Sequence, residues 1–238
     1  AQLLADTLIQ LTNKPNFEMQ YGLALGTSAI LANINNQDEL MVSKYLEAID
    51  VYENYSVVAP DSLQEKISSN ISACFNNLAQ VYLDKKDFEL ALKFYKNSLN
   101  EVLEVNDSLG ISIRCYNISD TYNRMAIYDS AFKYVLWSKR IEELRNDEEG
   151  LAYAHEGLAK IFNAKKEYLK ALQHIDSALM FVENIGDDFF RLDIIQMKSN
   201  VLISIGGSDQ AIEILELGVL KSKQIGYRSF TIDAYEKL

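Results

Sequence analysis

The chain has 238 residues, 48% of them hydrophobic, only two prolines, and a formal net charge of −11. No basic run is longer than a dipeptide, as at Lys85-Lys86 and Lys165-Lys166. This balance excludes a surface that tracks phosphates, so nucleic acid is not expected as a direct partner. No apolar run is long enough to cross a bilayer, so no membrane insertion is expected within this segment.

In chain order, residues 2–12 carry Leu3, Leu4, Leu8 and Leu11 and read as a short amphipathic helix, the remnant of a partial repeat over 1–12. Pro15 ends it. Residues 16–55 read as a degenerate repeat. Its first helix (17–33) is rich in small residues, Gly22, Ala24, Gly26, Ser28, Ala29 and Ala32, which close backbone packing would tolerate. A turn at 33–37 leads to a partner helix over 38–55, with Ala48 in a small column. Pro60-Asp61 then signals a helix start, with Asp61 or Ser62 as cap.

From there the chain repeats itself every forty residues. The hairpins cover 63–105, 108–145, 148–185 and 188–225, and 228–238 opens a truncated further repeat. One small column runs Ala91, Ala131, Ala171, Ala211. A second runs Ala79, Ser119, Ala159, Ser199, and a third Ser98, Ser138, Ala178, Gly218. Bulky residues occupy Tyr82, Tyr122, Phe162 and Leu202, then Phe88, Tyr128 and Tyr168, where Ser208 breaks the column. Small residues let two helices approach while the aromatics fill the gaps, and one hairpin cannot cover both its faces without copies. The fold class is therefore all-α, an α-solenoid of antiparallel helix hairpins over 1–238, and a half repeat at 228–238 implies that the parent chain continues. Cys74 and Cys115 fall on first helices of successive repeats in offset columns. They are expected as buried free thiols, since a disulfide needs alpha carbons within about 7 Å.

The spacing of Leu78-Ala79, Tyr82, Phe88, Ala91, Tyr95 and Ser98 resembles the tetratricopeptide repeat, here with a period of forty residues in place of the usual ~34. Longer repeats of this kind occur in kinesin light chains, LGN-type adaptors, peptide-sensing bacterial regulators and the sensor regions of bacterial signalling proteins. Two positions depart from the family pattern. Leu103, Glu143, Glu183 and Lys223 stand where its closing proline would be, and Phe75, Cys115, His155 and Ile195 stand where tryptophan is often found. Repeats of the HEAT type share a period near forty but lack this set of small columns.

No metal, cofactor or catalytic constellation is expected. The chain has no Cys-x-x-Cys, His-Glu-x-x-His, Gly-x-Ser-x-Gly or phosphate-cradling glycine loop. His155 sits in the bulky first-helix column and is expected to be packed, whereas His174 reads as surface. The acids Asp147-Glu148-Glu149 and Asp187-Asp188 fall at helix starts, where they complement the helix dipole.

What remains is binding. In the resembled family the first helices line the concave face of a right-handed superhelix. Carried over by register, the residues facing it are Asn76, Asn77 and Gln80, then Tyr116, Asn117, Asp120, Asn123 and Arg124. Tyr153, Glu156, Lys160 and Asn163 follow, and then Gln196 and Asn200. Side-chain amides both donate and accept, so such a face can pair with the backbone of an extended peptide. The family's carboxylate clamp is not formed, since its positions hold Asn76 and Gln80, Tyr116 and Asp120, Glu156 and Lys160. The resemblance implies a non-catalytic module for a protein or peptide ligand, the sensory or regulatory region of a larger signalling or transcription-control protein. A stand-alone scaffold or assembly adaptor is the alternative. It further implies a periplasmic part of a bacterial signalling protein, or else a cytoplasmic one, and self-association, if any, through the exposed ends of the array.

Overall fold

A computed structural model describes Thr7, Ile9 and residues 17–238. The helix expected over 2–12 and its break at Pro15 lie outside the described residues. The rest is all-α: α1 (Glu18–Ile34), α2 (Asp38–Ser56), α3 (Asp61–Asp84), α4 (Phe88–Glu104), α5 (Ser108–Arg124) and α6 (Tyr128–Arg145). They are followed by α7 (Glu148–Ala164), α8 (Tyr168–Ile185), α9 (Asp188–Ser204), α10 (Ser208–Ile225) and α11 (Arg228–Tyr235). The chain divides into two compact units, 1–121 and 122–238, with the division inside α5.

The turns show why the helices stop where they do. Lys86, Asn106, Ala126, Asn146, Lys166, Gly186, Gly206 and Gly226 recur every twenty residues, and all have positive φ. After most of these residues the next amide reaches back five positions to the preceding helix: Asp87 to Tyr82 O at 2.8 Å, Ile127 to Tyr122 O at 2.9 Å, Tyr227 to Ser222 O at 2.8 Å. That is the Schellman termination, which satisfies carbonyls that a helix end would leave orphaned. It does the work of the missing closing proline. The residue that follows then starts the next helix. Asp87, Asp107, Asp147 and Asp187 each accept an amide of the first turn, at 2.9 to 3.1 Å. The acids of these connectors are thus helix caps. Asp61 is not: Pro60 holds the cap position with no side-chain bond, and Asp61 is the first helical residue.

The degenerate repeat joins the same register with an offset. Its left-handed residue is Asn36, fifty positions before Lys86 rather than forty. On that offset Ala29 aligns with Ala79, Tyr45 with Tyr95 and Ala48 with Ser98. The added length lies in the end of α2, the connection through Pro60 and the start of α3.

In unit 1, α1 packs on α2, α2 on α3 and α3 on α4, with α1 also meeting α3. Leu25, Ala29, Tyr45, Ala48, Tyr52, Ile71 and Leu78 form its core. Gly22 is required there, because a Cβ would lie 2.4 Å from the Tyr52 ring. Gly26 has open space at that point, so close packing does not explain it. Serine in the Ser98 column has its own reason. Ser98 Oγ and Ser72 Oγ lie 2.8 Å apart, and the Arg114 guanidinium of α5 donates to both, at 2.9 and 3.2 Å. Burial favours the neutral form of Arg114, lowering its pKa, so this network replaces solvent that the cation has lost.

In unit 2, α6 to α11 pack each on the next, and α9 also meets α11. Ala131 and Val135 pack with Leu158 and Ile161, and Ala159, Ala171, Ala178 and Val182 with Phe190, Ile194 and Val201. Leu192, Leu215, Val219, Phe230 and Ala234 complete the core. Gly218 closes the third small column by necessity, since a Cβ would lie 2.6 Å from the Phe230 ring. Cys74 and Cys115 are buried free thiols, each pushed up to about 12 by burial.

Candidate functional site

The helix pattern of α3 turns Leu78 and Ala79 into the core and leaves Asn76, Asn77 and Gln80 beside them. Two tyrosines of equivalent register hold that strip from the flanking second helices. Tyr45 of α2 accepts from Asn77 Nδ2 at 3.0 Å, and Tyr95 of α4 donates to Gln80 Oε1 at 3.1 Å. Gln80 Nε2 donates in turn to Asp84 at 2.8 Å. Asn117 of α5 donates to Asn76 Oδ1 at 3.0 Å.

Asn77 and Gln80 line a groove of about 480 Å³ in unit 1, a volume suited to one or two ligand side chains. Its floor is Met41 and Val81, and Ile30, half exposed, forms an apolar wall. Asn33, Asp84 and an Asp38–Lys85 ion pair at 3.0 Å supply the polar rim. Amide donors and acceptors therefore surround an apolar cleft. That arrangement can pair with a peptide backbone while it takes up a side chain.

Asn33, Tyr45, Ile30 and Met41 were not among the expected residues. They belong to the repeat whose register is shifted by ten, and a forty-residue step from Asn77 lands on Gln37, in a turn. The Tyr45 and Tyr95 pair was the signal that would have found them. Asn77 and Asn117 are half-buried and bonded to neighbours rather than standing free in solvent. Tyr116 and Asp120 are half-buried on α5.

In unit 2 the expected residues behave differently. Asn200 and Arg124 are exposed, and Asn163 is half-buried. The Tyr153 ring stacks on Phe190 with centroids 4.3 Å apart. Glu156 is buried rather than displayed, and it pairs with Lys160 at 2.9 Å. Asn123 Oδ1 and Gln196 Oε1 are shielded from solvent without a hydrogen-bond donor. These are two acceptors with unused capacity on the expected face.

His174 corrects its reading as surface. It is half-buried, its ring lies parallel to Phe162 at 5.3 Å, and its Nδ1 is 3.1 Å from Nδ1 of His155. Burial and the facing His174 bring His155 down to about 4, and Lys139 adds to the effect. Burial and Lys139 lower His174 as well. Among the described residues no group of three His, Cys, Asp or Glu side chains converges to hold a metal ion, and no helix is long and apolar enough to cross a membrane.

No protein-family profile matches the chain, and no curated protein sequence matches it. Solved structures do. BtubC (BKLC) from P. vanneervenii superposes with a TM-score of 0.77 at 13% identity, over 94% of this chain and 91% of that one. A Signal Transduction ATPase with Numerous Domains from Pyrococcus horikoshii, which has a tetratricopeptide repeat sensor, matches with a TM-score of 0.65 at 17% identity. That match covers 98% of this chain and 35% of the other. The Rap conjugation gene regulator of plasmid pLS20, in complex with the Phr* peptide, matches with a TM-score of 0.66 at 12% identity, over 92% of this chain and 57% of that one.

Proposed function

Because the chain has the tetratricopeptide-type α-solenoid fold, we propose that it is a binding module for an extended protein or peptide segment, with the groove between α1, α2 and α3 as a principal contact. The observation that carries this reading is the amide-rimmed cleft, in which Asn33, Asn77 and Gln80 surround the apolar floor of Met41 and Val81. The cleft takes one ligand side chain, and the amides pair with the peptide units on either side of it. Tyr45 and Tyr95 fix the orientation of the amides in advance, which lowers the entropy lost on binding. The peptide complex of the Rap regulator supports the reading by likeness of fold. The module acts without catalysis of its own, as the sensory or regulatory region of a larger signalling or transcription-control protein.

The test is a pull-down followed by titration of the captured segment. Replacing Asn77 and Gln80 together by Ala removes two hydrogen-bonding side chains, each worth ~0.5–1.5 kcal/mol net. Affinity is expected to fall about tenfold, with the outer pair Lys133→Ala and Gln173→Ala as the unaffected control. A groove variant that binds at parental strength, beside an outer pair that does not, overturns the assignment.

A further inference from the structure

The amide cleft of unit 1 carries a charge that nothing within it answers. Its lining holds two carboxylates, Asp38 and Asp84, and one ammonium, Lys85. Lys85 pairs with Asp38 at 3.0 Å. Asp84 is bonded differently. Its Oδ1 accepts from the neutral amide of Gln80 at 2.8 Å, and among the described residues no cation pairs with it. The Asp38–Lys85 pair is itself exposed and readily exchanged, since such pairs hold little free energy. Exchange leaves the balance as it was, because whichever acid Lys85 meets, one carboxylate is left over.

The backbone adds to this charge. Helices α1 and α3 both end at the cleft, contributing Asn33 and Asp84 from their last turns, and neither has a basic residue in that turn. The negative end of each helix dipole favours a cation placed there. Helix α2 starts at the same cleft, but its positive end is met by its own Asp38. The hydrogen bonds point the same way. Tyr45 takes up Nδ2 of Asn77, and Gln80 is held at both ends by Tyr95 and Asp84. What is left over is a pair of acceptors, Oδ1 of Asn77 and Oδ2 of Asp84, neither with a donor among the described residues.

We infer that the side chain taken up by this cleft is a basic one, a lysine or arginine of the extended peptide. This rests on the reading of the cleft as a peptide site and adds the chemistry of the anchor residue. The aliphatic stem lies on Met41 and Val81, beside the half-exposed Ile30, while the cationic head stays at the wet rim against Asp84. Lysine and arginine side chains carry donors and no acceptor, which matches a rim whose unspent groups are acceptors. An acidic anchor would meet a charge of its own sign. An apolar anchor would cover Asp84 without replacing the water that the carboxylate loses.

The experiment selects a library of random peptides of about twelve residues against the chain and titrates each selected peptide on variants. The peptides are expected to share one fixed Lys or Arg and to bind the Asn77→Ala, Gln80→Ala double variant about tenfold more weakly. Replacing the fixed residue by norleucine keeps an aliphatic stem and removes the charge, and should cost about tenfold. Asp84→Asn keeps an acceptor for Gln80. It should weaken the basic peptide about tenfold, with a smaller loss at high salt, and leave the norleucine peptide unchanged. Lys85→Met, which frees Asp38, should strengthen the basic peptide. Peptides that need Asn77 and Gln80 but share no basic residue, or that are indifferent to Asp84→Asn, overturn this inference and leave the cleft a peptide site. A selection that yields no peptide, or only peptides that bind the double variant at parental strength, overturns both readings.

Discussion

Ala126 carries a conformational cost that the glycines of the series avoid. Its φ of 58° lies in the left-handed region, where an L-residue is destabilised by roughly 1–2 kcal/mol, and Gly186, Gly206 and Gly226 fill the same turn position without that strain. Ala126→Gly also increases the freedom of the unfolded chain, at about 0.5–1 kcal/mol. A net gain of about 0.5–1 kcal/mol is expected, read as a higher urea midpoint at unchanged slope. A midpoint that stays or falls would show that the turn is not strained. The two cysteines mark the opposite end of the residue scale, since thiols held near 12 by burial are almost wholly protonated at neutral pH. Positions such as these were legible in the sequence as small or apolar columns. The handedness of Lys86, Ala126 and Lys166 was not, because neither Lys nor Ala announces a positive φ in the way Gly or Asn does.

Among the elements, α7 and α8 show how a polar pair is accommodated within a repeat. His155 and His174 face each other between Phe162 and Phe181, with Lys139 and Glu143 of α6 as the charged groups bearing on His155. Both imidazoles are depressed in the folded state, His155 to about 4, whereas the unfolded chain titrates near 6.5. Between these values the unfolded state binds more protons. The pair therefore contributes its full stability above about pH 6.5 and loses it as pH falls toward 4. Urea midpoints at pH 7 and pH 5 should differ in the native chain and converge in a His155→Phe, His174→Phe double variant, whose rings join the aromatic cluster. An unchanged difference would place the acid sensitivity elsewhere. His174 was misread because its neighbours Gln173 and Asp176 are polar, yet the helix turns it toward α7. The amide cleft was half legible for a related reason. Asn77 and Gln80 follow from the forty-residue step, but Asn33 and Tyr45 follow only from the fifty-residue offset that the extended α2–α3 connection imposes.

At the scale of the molecule, stability in such an array is a sum of helix pairs and their nearest-neighbour interfaces. Within unit 2 that sum is uneven. Helices α7 and α8 place Ala152, Ala159, Ala171, Ile175, Ala178 and Val182 in the core, all fully buried. Helix α11 has eight residues, and its Ile232 and Tyr235 are more than half exposed. Amide hydrogen exchange should therefore be fastest in α11 and in the Gly206-Gly207 turn, and slowest in α7 and α8. Uniform protection across unit 2 would mean that an unrecognised contact covers α11. The architecture itself was readable from periodicity alone, since every column of small residues that defined the repeat is buried at a helix contact.

The connectors at Asn106-Asp107 and Asn146-Asp147 are chemically the same joint: a left-handed asparagine closes one helix and an aspartate opens the next. A stretch of gene lying between two such joints can be lost or duplicated by unequal recombination, and the new seam would still read Asn-Asp. Every helix on either side would keep its own stop and its own start. The chain can thus change length in whole repeats while its individual helices diverge one by one, so length and surface chemistry are free to vary separately.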